Sequence, residues 1–228
     1  MHFLVDNRNK VIFGWSAKSG CSHIIQIYWF FQTNNINNRI HTTSDSSPLP
    51  NDIENYNTVI FCRNPYKRLV SGFLDKYKVN GEFRHMWKHD TLTFGNFVNE
   101  LVISNWNMIH NHHFQQQTSG FFDKNKVIKS KTVKVYDIES IDYSYLESLF
   151  NKKIPIEVLN FTGEHKRQKY NINTEENVYD LDISIYYNSN VDIKYFFNEE
   201  INNKVYKFFE NDFTFFKEYG INYEKMVL

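Results

Sequence analysis

Two short segments carry residues whose types and spacing suit anion chemistry. The first is Val11-Ile-Phe-Gly-Trp-Ser-Ala-Lys18-Ser19-Gly20-Cys21-Ser22-His23-Ile24-Ile25. The second is Thr58-Val-Ile-Phe-Cys62-Arg63-Asn64-Pro65-Tyr-Lys-Arg68-Leu-Val-Ser71-Gly-Phe73. Each reads as a buried strand, a tight polar loop and the start of a helix. A loop of that kind holding Lys, Ser and Gly is a phosphate cradle. Backbone N–H groups at the helix N-terminus face the anion, and Lys adds a point charge. Gly20 permits close backbone approach. Lys18 precedes Gly20 and no Lys follows it, so the order differs from the Gly-x-x-x-x-Gly-Lys-Ser/Thr loop of P-loop nucleotidases.

The elements that must position these loops follow from apolar spacing. Residues 10–15 read as the first strand, and a helix runs from about Gly20 to Phe31 with Ile24, Ile27, Tyr28 and Phe31 on one face. Residues 34–38 form a turn, residues 39–42 a short strand, and residues 44–50 a Ser/Pro/Asp loop. Thr58–Cys62 is a continuous apolar strand, and Pro65 opens the next helix, which carries Leu69, Val70, Phe73 and Tyr77. A helix is expected over Thr93–Ile103, with residues 104–130 irregular. A strand is expected over Thr132–Tyr136, a helix over Tyr143–Phe150, loops over 161–190, and one long amphipathic helix over Glu199–Tyr219. This alternation predicts an α/β fold, a central parallel sheet between two helical layers. Both polar loops fall at C-terminal strand ends, where such sheets bind ligands.

The chain has 228 residues, enough for one domain with a full core, and 1–228 is taken as a single domain. Its formal net charge is zero, which excludes a global pull on nucleic acid or a membrane surface. Aromatic residues make up 18%, with Asn, Ile and Lys also abundant, so a compositional bias explains most of them without a site at each. The two cysteines, Cys21 and Cys62, are no disulfide framework. They read as packing residues, with a redox-sensitive pair as the alternative. His110, His112 and His113 lack partners at metal-ligand spacing, so no metal is expected. There is neither a basic leader followed by an apolar stretch nor an apolar run of membrane-spanning length. The chain is expected to be cytoplasmic or otherwise soluble, or else trimmed of an anchor.

Lys18-Ser-Gly-x-Ser22 resembles the 5′-phosphosulfate loop of sulfotransferases that use 3′-phosphoadenosine-5′-phosphosulfate (PAPS). Arg63-Asn-Pro-x-x-Arg68-x-x-Ser71 resembles that family's 3′-phosphate motif. The resemblance implies a P-loop-like three-layer α/β/α fold and transfer of a sulfuryl group from PAPS to an acceptor hydroxyl, without metal. It implies that Lys18, Ser19, Gly20, Cys21 and Ser22 hold the 5′ end, and that Arg63 and Ser71 hold the 3′-phosphate. Cytosolic members have a Trp stacked on adenine where this chain has His23. Val135-Tyr136-Asp-Ile-Glu139 is similar to the segment that places a ring near adenine, which makes Tyr136 a candidate. Phe161-Thr-Gly-Glu-His-Lys166-Arg167 is similar to the late basic loop over the 3′-phosphate, which makes Lys166 and Arg167 candidates.

The acceptor hydroxyl must lose a proton, usually to His or Glu. His41, in Arg39-Ile-His41-Thr, resembles the family's catalytic His between the two cofactor motifs, although the family places Thr before the His. His113, in His113-Phe-Gln-Gln-Gln117, resembles the His-Trp-x-Pro-Gln segment of carbohydrate sulfotransferases, with Phe and Gln in place of Trp and Pro. That likeness, with the carbohydrate-type features around Phe61–Phe73, implies a glycan or other small hydroxylated acceptor, and the stretch Val205–Phe216 resembles the closing helix of the same group. Two other classes stay open at this stage: a P-loop-type nucleotide phosphotransferase and a catalytically inactive nucleotide-binding module.

Overall fold

Val11–Trp15 is buried at every position, and Asn57–Cys62 at all but its first. Such runs are what a strand covered on both faces requires. In the computed structural model, which describes residues 1–35, 46–103, 112–119, 122–155, 158, 177–187 and 191–228, they form the middle of a four-stranded sheet. Its strands, in spatial order, are β1 (His2–Asp6), β2 (Val11–Trp15), β3 (Asn57–Cys62) and β4 (Thr132–Asp137). β2 pairs parallel with β3, Trp15 opposite Phe61, and β3 pairs parallel with β4, Cys62 opposite Asp137. The expected short strand at 39–42 lies outside the described residues.

β1 corrects the expectation of an all-parallel sheet that starts at residue 10, because it runs antiparallel to β2, with His2 opposite Trp15 and Asp6 opposite Val11. The reason is connection length. Parallel neighbours need a crossover of about a dozen residues or more, whereas residues 7–10 suffice for a hairpin. Asp6 shapes that turn: its Oδ1 accepts from Arg8 N at 2.9 Å and Asn9 N at 3.0 Å. The chain is thus a mixed α/β protein with a mostly parallel sheet.

The chain divides into two compact units, one comprising Met1–Arg63, Gln117–Lys166 and Phe215–Asn222, the other Asn64–Gln116, Arg167–Thr214 and Tyr223–Leu228. The first holds the sheet, α1 (Cys21–Thr33), α4 (Lys124–Val127) and α5 (Ser144–Phe150). One sheet face, with Phe13, Trp15, Val59 and Phe61, packs with Ile24, Ile27, Tyr28 and Phe31 of α1 and Leu146 of α5. Phe31 stacks on Phe150 at 4.0 Å. Lys152 closes the far end of α1 by donating to Phe30 O at 2.7 Å.

The second unit is helical. It holds α2 (Pro65–Lys76), α3 (Phe94–Ile103), α6 (Ile183–Tyr186), α7 (Glu199–Phe208) and the start of α8 (Glu210–Glu218). Asn64 caps α2, its Oδ1 accepting from Tyr66 N at 3.0 Å and Lys67 N at 3.4 Å, with Pro65 in the first turn. The core is aromatic: Phe73, Tyr77, Phe94, Phe97, Phe114, Phe197 and Phe209 are all buried together. The single helix expected over Glu199–Tyr219 is two, interrupted at Phe209. Phe209 is itself fully buried, so the apolar stripe continues through the break, while Glu210 and Asp212 open a new first turn where carboxylates suit the helix dipole.

Candidate functional site

Three parallel strands end side by side, and three loops leave them: Ser16–Gly20 after β2, Arg63 after β3, and Ile138–Glu139 after β4. The first loop is sharply folded. Ser19 N donates to Ser16 O at 3.1 Å, and both Lys18 and Gly20 have left-handed backbone, with φ of 67° and 71°. For Lys18 that conformation costs about 1 kcal/mol, and it persists where surrounding contacts over-determine it. Gly20 is required twice over. Its φ is positive, and an added Cβ would lie 2.6 Å from Ile138 Cγ1. α1 then starts at Cys21 with no side chain capping it. That leaves the helix's positive end facing the loop.

Buried polar groups hold this conformation. Ser16 Oγ and Ser19 Oγ lie 2.8 Å apart and 3.1 Å and 2.9 Å from Gln117 Oε1. The same oxygen accepts from Arg63 N at 3.1 Å, and Gln117 Nε2 donates to Arg63 O at 2.8 Å. Ser19 and Gln117 are completely buried. The Ser19 hydroxyl therefore faces inward and shapes the loop. Arg63 extends from this cluster. Its Nη1 donates to Lys18 O at 3.3 Å, Glu139 Oε1 lies 3.7 Å from its Nε, and that Nε is buried with no hydrogen-bond partner among the described residues.

The flanking residues sit as follows. Cys21 is half-buried and Cys62 buried, both as free thiols, and Cys62 Sγ donates to Tyr136 O at 3.4 Å. Ser22 is in the first turn of α1 and half-buried. His23 Nε2 meets Tyr143 Oη at 2.7 Å, the rings edge to face. Tyr136 lies near the end of β4, opposite Phe61, with ring centroids 6.4 Å apart. Burial raises the Tyr136 phenol above its ordinary pKa, with smaller contributions from Asp142 and Tyr145.

Ser71 and His113 belong to the second unit, both half-buried. Ser71 is on α2. The His113 ring lies against that of His112, centroids 4.3 Å apart and tilted by 34°. Their segment is fixed by Arg68, which is fully buried and donates from Nη1 to Gln115 O at 2.7 Å and from Nη2 to His112 O at 2.8 Å. His41, Lys166 and Arg167 lie outside the described residues. Among the described residues no group of three or more His, Cys, Asp or Glu could hold a metal ion, and no helix is long and apolar enough to cross a membrane.

Gln117, Arg68 and Glu139 are the residues that motif spacing does not single out. Gln117 closes the segment that begins at His113, and Arg68 sits inside the second motif, so both were in view without a role. Only contact across some fifty to one hundred residues of chain supplies one.

The model of the sulfotransferase family matches residues 1–220. No curated protein and no solved structure matches the chain. The family match runs through both polar loops, all four strands and α8, so it covers the whole of the first unit's strand-end cluster. The chain belongs to the sulfotransferase family, whose chemistry is sulfuryl transfer.

Proposed function

We propose that the chain, acting as one sulfotransferase domain of P-loop-like three-layer architecture, moves a sulfuryl group from PAPS to an acceptor hydroxyl and releases 3′-phosphoadenosine-5′-phosphate. The observation that carries this is the strand-end cluster, in which Gln117 ties the Lys18 loop to Arg63. The residues fit the donor. The buried Arg63 Nε has the Glu139 carboxylate 3.7 Å away but no hydrogen-bond partner among the described residues, and a phosphate oxygen is an acceptor that would satisfy it. The uncapped start of α1 suits a second phosphate.

Sulfuryl transfer, like phosphoryl transfer, passes through a loose in-line transition state, so catalysis is mostly positioning and charge stabilisation. Lys18 neutralises the charge that grows on the leaving phosphate oxygen. The backbone of Ser19, Gly20, Cys21 and Ser22 orients that phosphate. Arg63 binds the 3′-phosphate, and Ser71 takes the role that its place in the same motif gives it. His23 and Tyr136 are the candidates beside adenine, and Lys166 and Arg167 the candidates for a covering basic loop. The base that takes the acceptor's proton is His41 or His113. The acceptor is a glycan or other small hydroxylated molecule. No metal is required, because Lys18 and Arg63 carry the positive charge.

Calorimetric titration with 3′-phosphoadenosine-5′-phosphate, with ATP alongside, tests this. The bisphosphate should bind more tightly than ATP, and Lys18→Ala and Arg63→Ala should each weaken it roughly ten- to hundredfold. A preference for ATP, or no binding by a folded chain, would overturn it.

A further inference from the structure

Building on that function, we infer that Gln117 is a positioning residue that couples the two phosphate loops, so that the ends of a nucleoside bisphosphate are recognised as one site.

Its side chain has two ends with different tasks. Toward Arg63 it imitates a neighbouring strand, accepting the backbone N–H at 3.1 Å and donating to the backbone C=O at 2.8 Å. A flipped amide would set N–H against N–H and oxygen against oxygen, so the pairing fixes its orientation. Toward the Lys18 loop its Oε1 serves both serine hydroxyls. Each hydroxyl has one proton, and the triangle formed by Ser16 Oγ, Ser19 Oγ and Gln117 Oε1 has three edges. Two protons cannot fill three edges, so one edge is always unfilled, and at least one hydroxyl can donate to the oxygen in each arrangement. The loop is held by an acceptor that tolerates either proton arrangement.

No other side chain supplies this set. Asn lacks the reach, Glu lacks the donor for Arg63 O, and an apolar residue strands several buried polar groups. These contacts of Gln117 lie on backbone and hydroxyl atoms, so it holds the two loops without itself engaging the Lys18 ammonium or the Arg63 guanidinium. Holding the loops that bear them in advance lowers the ordering cost of binding a molecule with a phosphate at each end.

Coupling predicts a ratio. In the wild-type chain, the dissociation constant for adenosine 5′-phosphate divided by that for 3′-phosphoadenosine-5′-phosphate measures what the 3′-phosphate adds. In Gln117→Leu the ratio should shrink roughly tenfold. A residue that only helped the chain fold would leave the ratio unchanged in the folded fraction. Gln117→Glu is the second variant. Burial opposite Arg63 O raises its carboxyl above the ordinary 4.3 or so, and the protonated acid reproduces the amide's donor and acceptor. The charged groups on the loops that meet there are Lys18, Arg63 and Glu139. The 3′-phosphate itself ionises with a pKa of about 6, so the ratio in Gln117→Glu is divided by the wild-type ratio at the same pH; that quotient should approach one as pH falls toward about 5 and collapse at pH 7.

Amide exchange without ligand separates the two inferences. In Gln117→Leu, the amides of Ser19 and Arg63 should both exchange faster, by roughly tenfold or more. If they do while the wild-type chain binds neither nucleotide, the coupling stands and the PAPS assignment falls. If the wild-type chain binds the bisphosphate and both variants keep its ratio at pH 7 with unchanged exchange, the coupling is wrong and the PAPS assignment stands.

Discussion

Two arginines five residues apart divide the work of one motif between two regions. Arg68 is fully buried in the helical unit, with both terminal nitrogens donating to backbone carbonyls. Arg63, at the strand ends of the sheet unit, keeps about a quarter of its side chain exposed, and its buried Nε lies 3.7 Å from Glu139 Oε1 with no hydrogen-bond partner among the described residues. A guanidinium satisfied by backbone is part of the fold. One that is held in place but incompletely satisfied is what the proposed phosphate site would use. Motif spacing singles out Arg63 at a strand end and leaves Arg68 without a role, which only its contacts with Gln115 O and His112 O supply.

The largest effect that would test this contrast is on stability. Arg68→Ala should cost about 3–5 kcal/mol, from two stranded carbonyls and the cavity left behind. Chemical denaturation measures it, and a loss below about 1 kcal/mol would remove Arg68 from the fold's supports. Arg63→Ala should do the reverse, changing stability by about 1 kcal/mol or less while weakening bisphosphate binding roughly ten- to hundredfold. An Arg63→Ala chain that unfolds instead would make the two arginines alike.

Gly20→Ala sharpens the comparison at the loop itself. A positive φ and a contact of 2.6 Å to Ile138 Cγ1 act together, and the variant should lose about 1–3 kcal/mol. Adding Ile138→Ala should restore the part due to crowding and leave the part due to φ. A double variant no more stable than Gly20→Ala would mean that crowding contributes little.

Much of this was visible in the sequence, for physical reasons. Val11–Trp15 and the Thr58–Cys62 run are so uniformly apolar that only a doubly covered strand suits them. Asn64-Pro65 announces a helix start through a cap and a fixed φ. β1 escaped notice because a five-residue strand at a sheet edge draws its stability from pairing with β2, which its own residues do not reveal. The break at Phe209 escaped because a continuous aromatic stripe hides it. Gln117 is the harder case. A glutamine among glutamines has no local pattern, and its partners Ser16 and Ser19 lie 101 and 98 residues away.

The smallest effects concern buried tyrosine hydroxyls, where the two units differ again. Tyr28, in the sheet unit, donates to Val5 O at 3.1 Å. Tyr77, in the aromatic core, is fully buried and its hydroxyl has no partner among the described residues. Tyr28→Phe should therefore cost about 1 kcal/mol, the loss of a bond to a carbonyl. Tyr77→Phe should be neutral or stabilising by up to about 1 kcal/mol, since it removes a stranded polar group from an apolar site. Alkaline pH adds a second readout. Burial pushes the Tyr28 phenol up to about 12 and the Tyr77 phenol further, from an ordinary value of 10.0. Above pH 10 the unfolded chain releases those protons and the folded chain keeps them. Stability is therefore fully present below pH 10 and falls as pH rises, by up to about 1.4 kcal/mol per pH unit for each such phenol. Tyr77→Phe should make that decline shallower by one phenol's share. A slope unchanged in Tyr77→Phe would mean that the Tyr77 hydroxyl reaches solvent, and the contrast between the two cores would fail there.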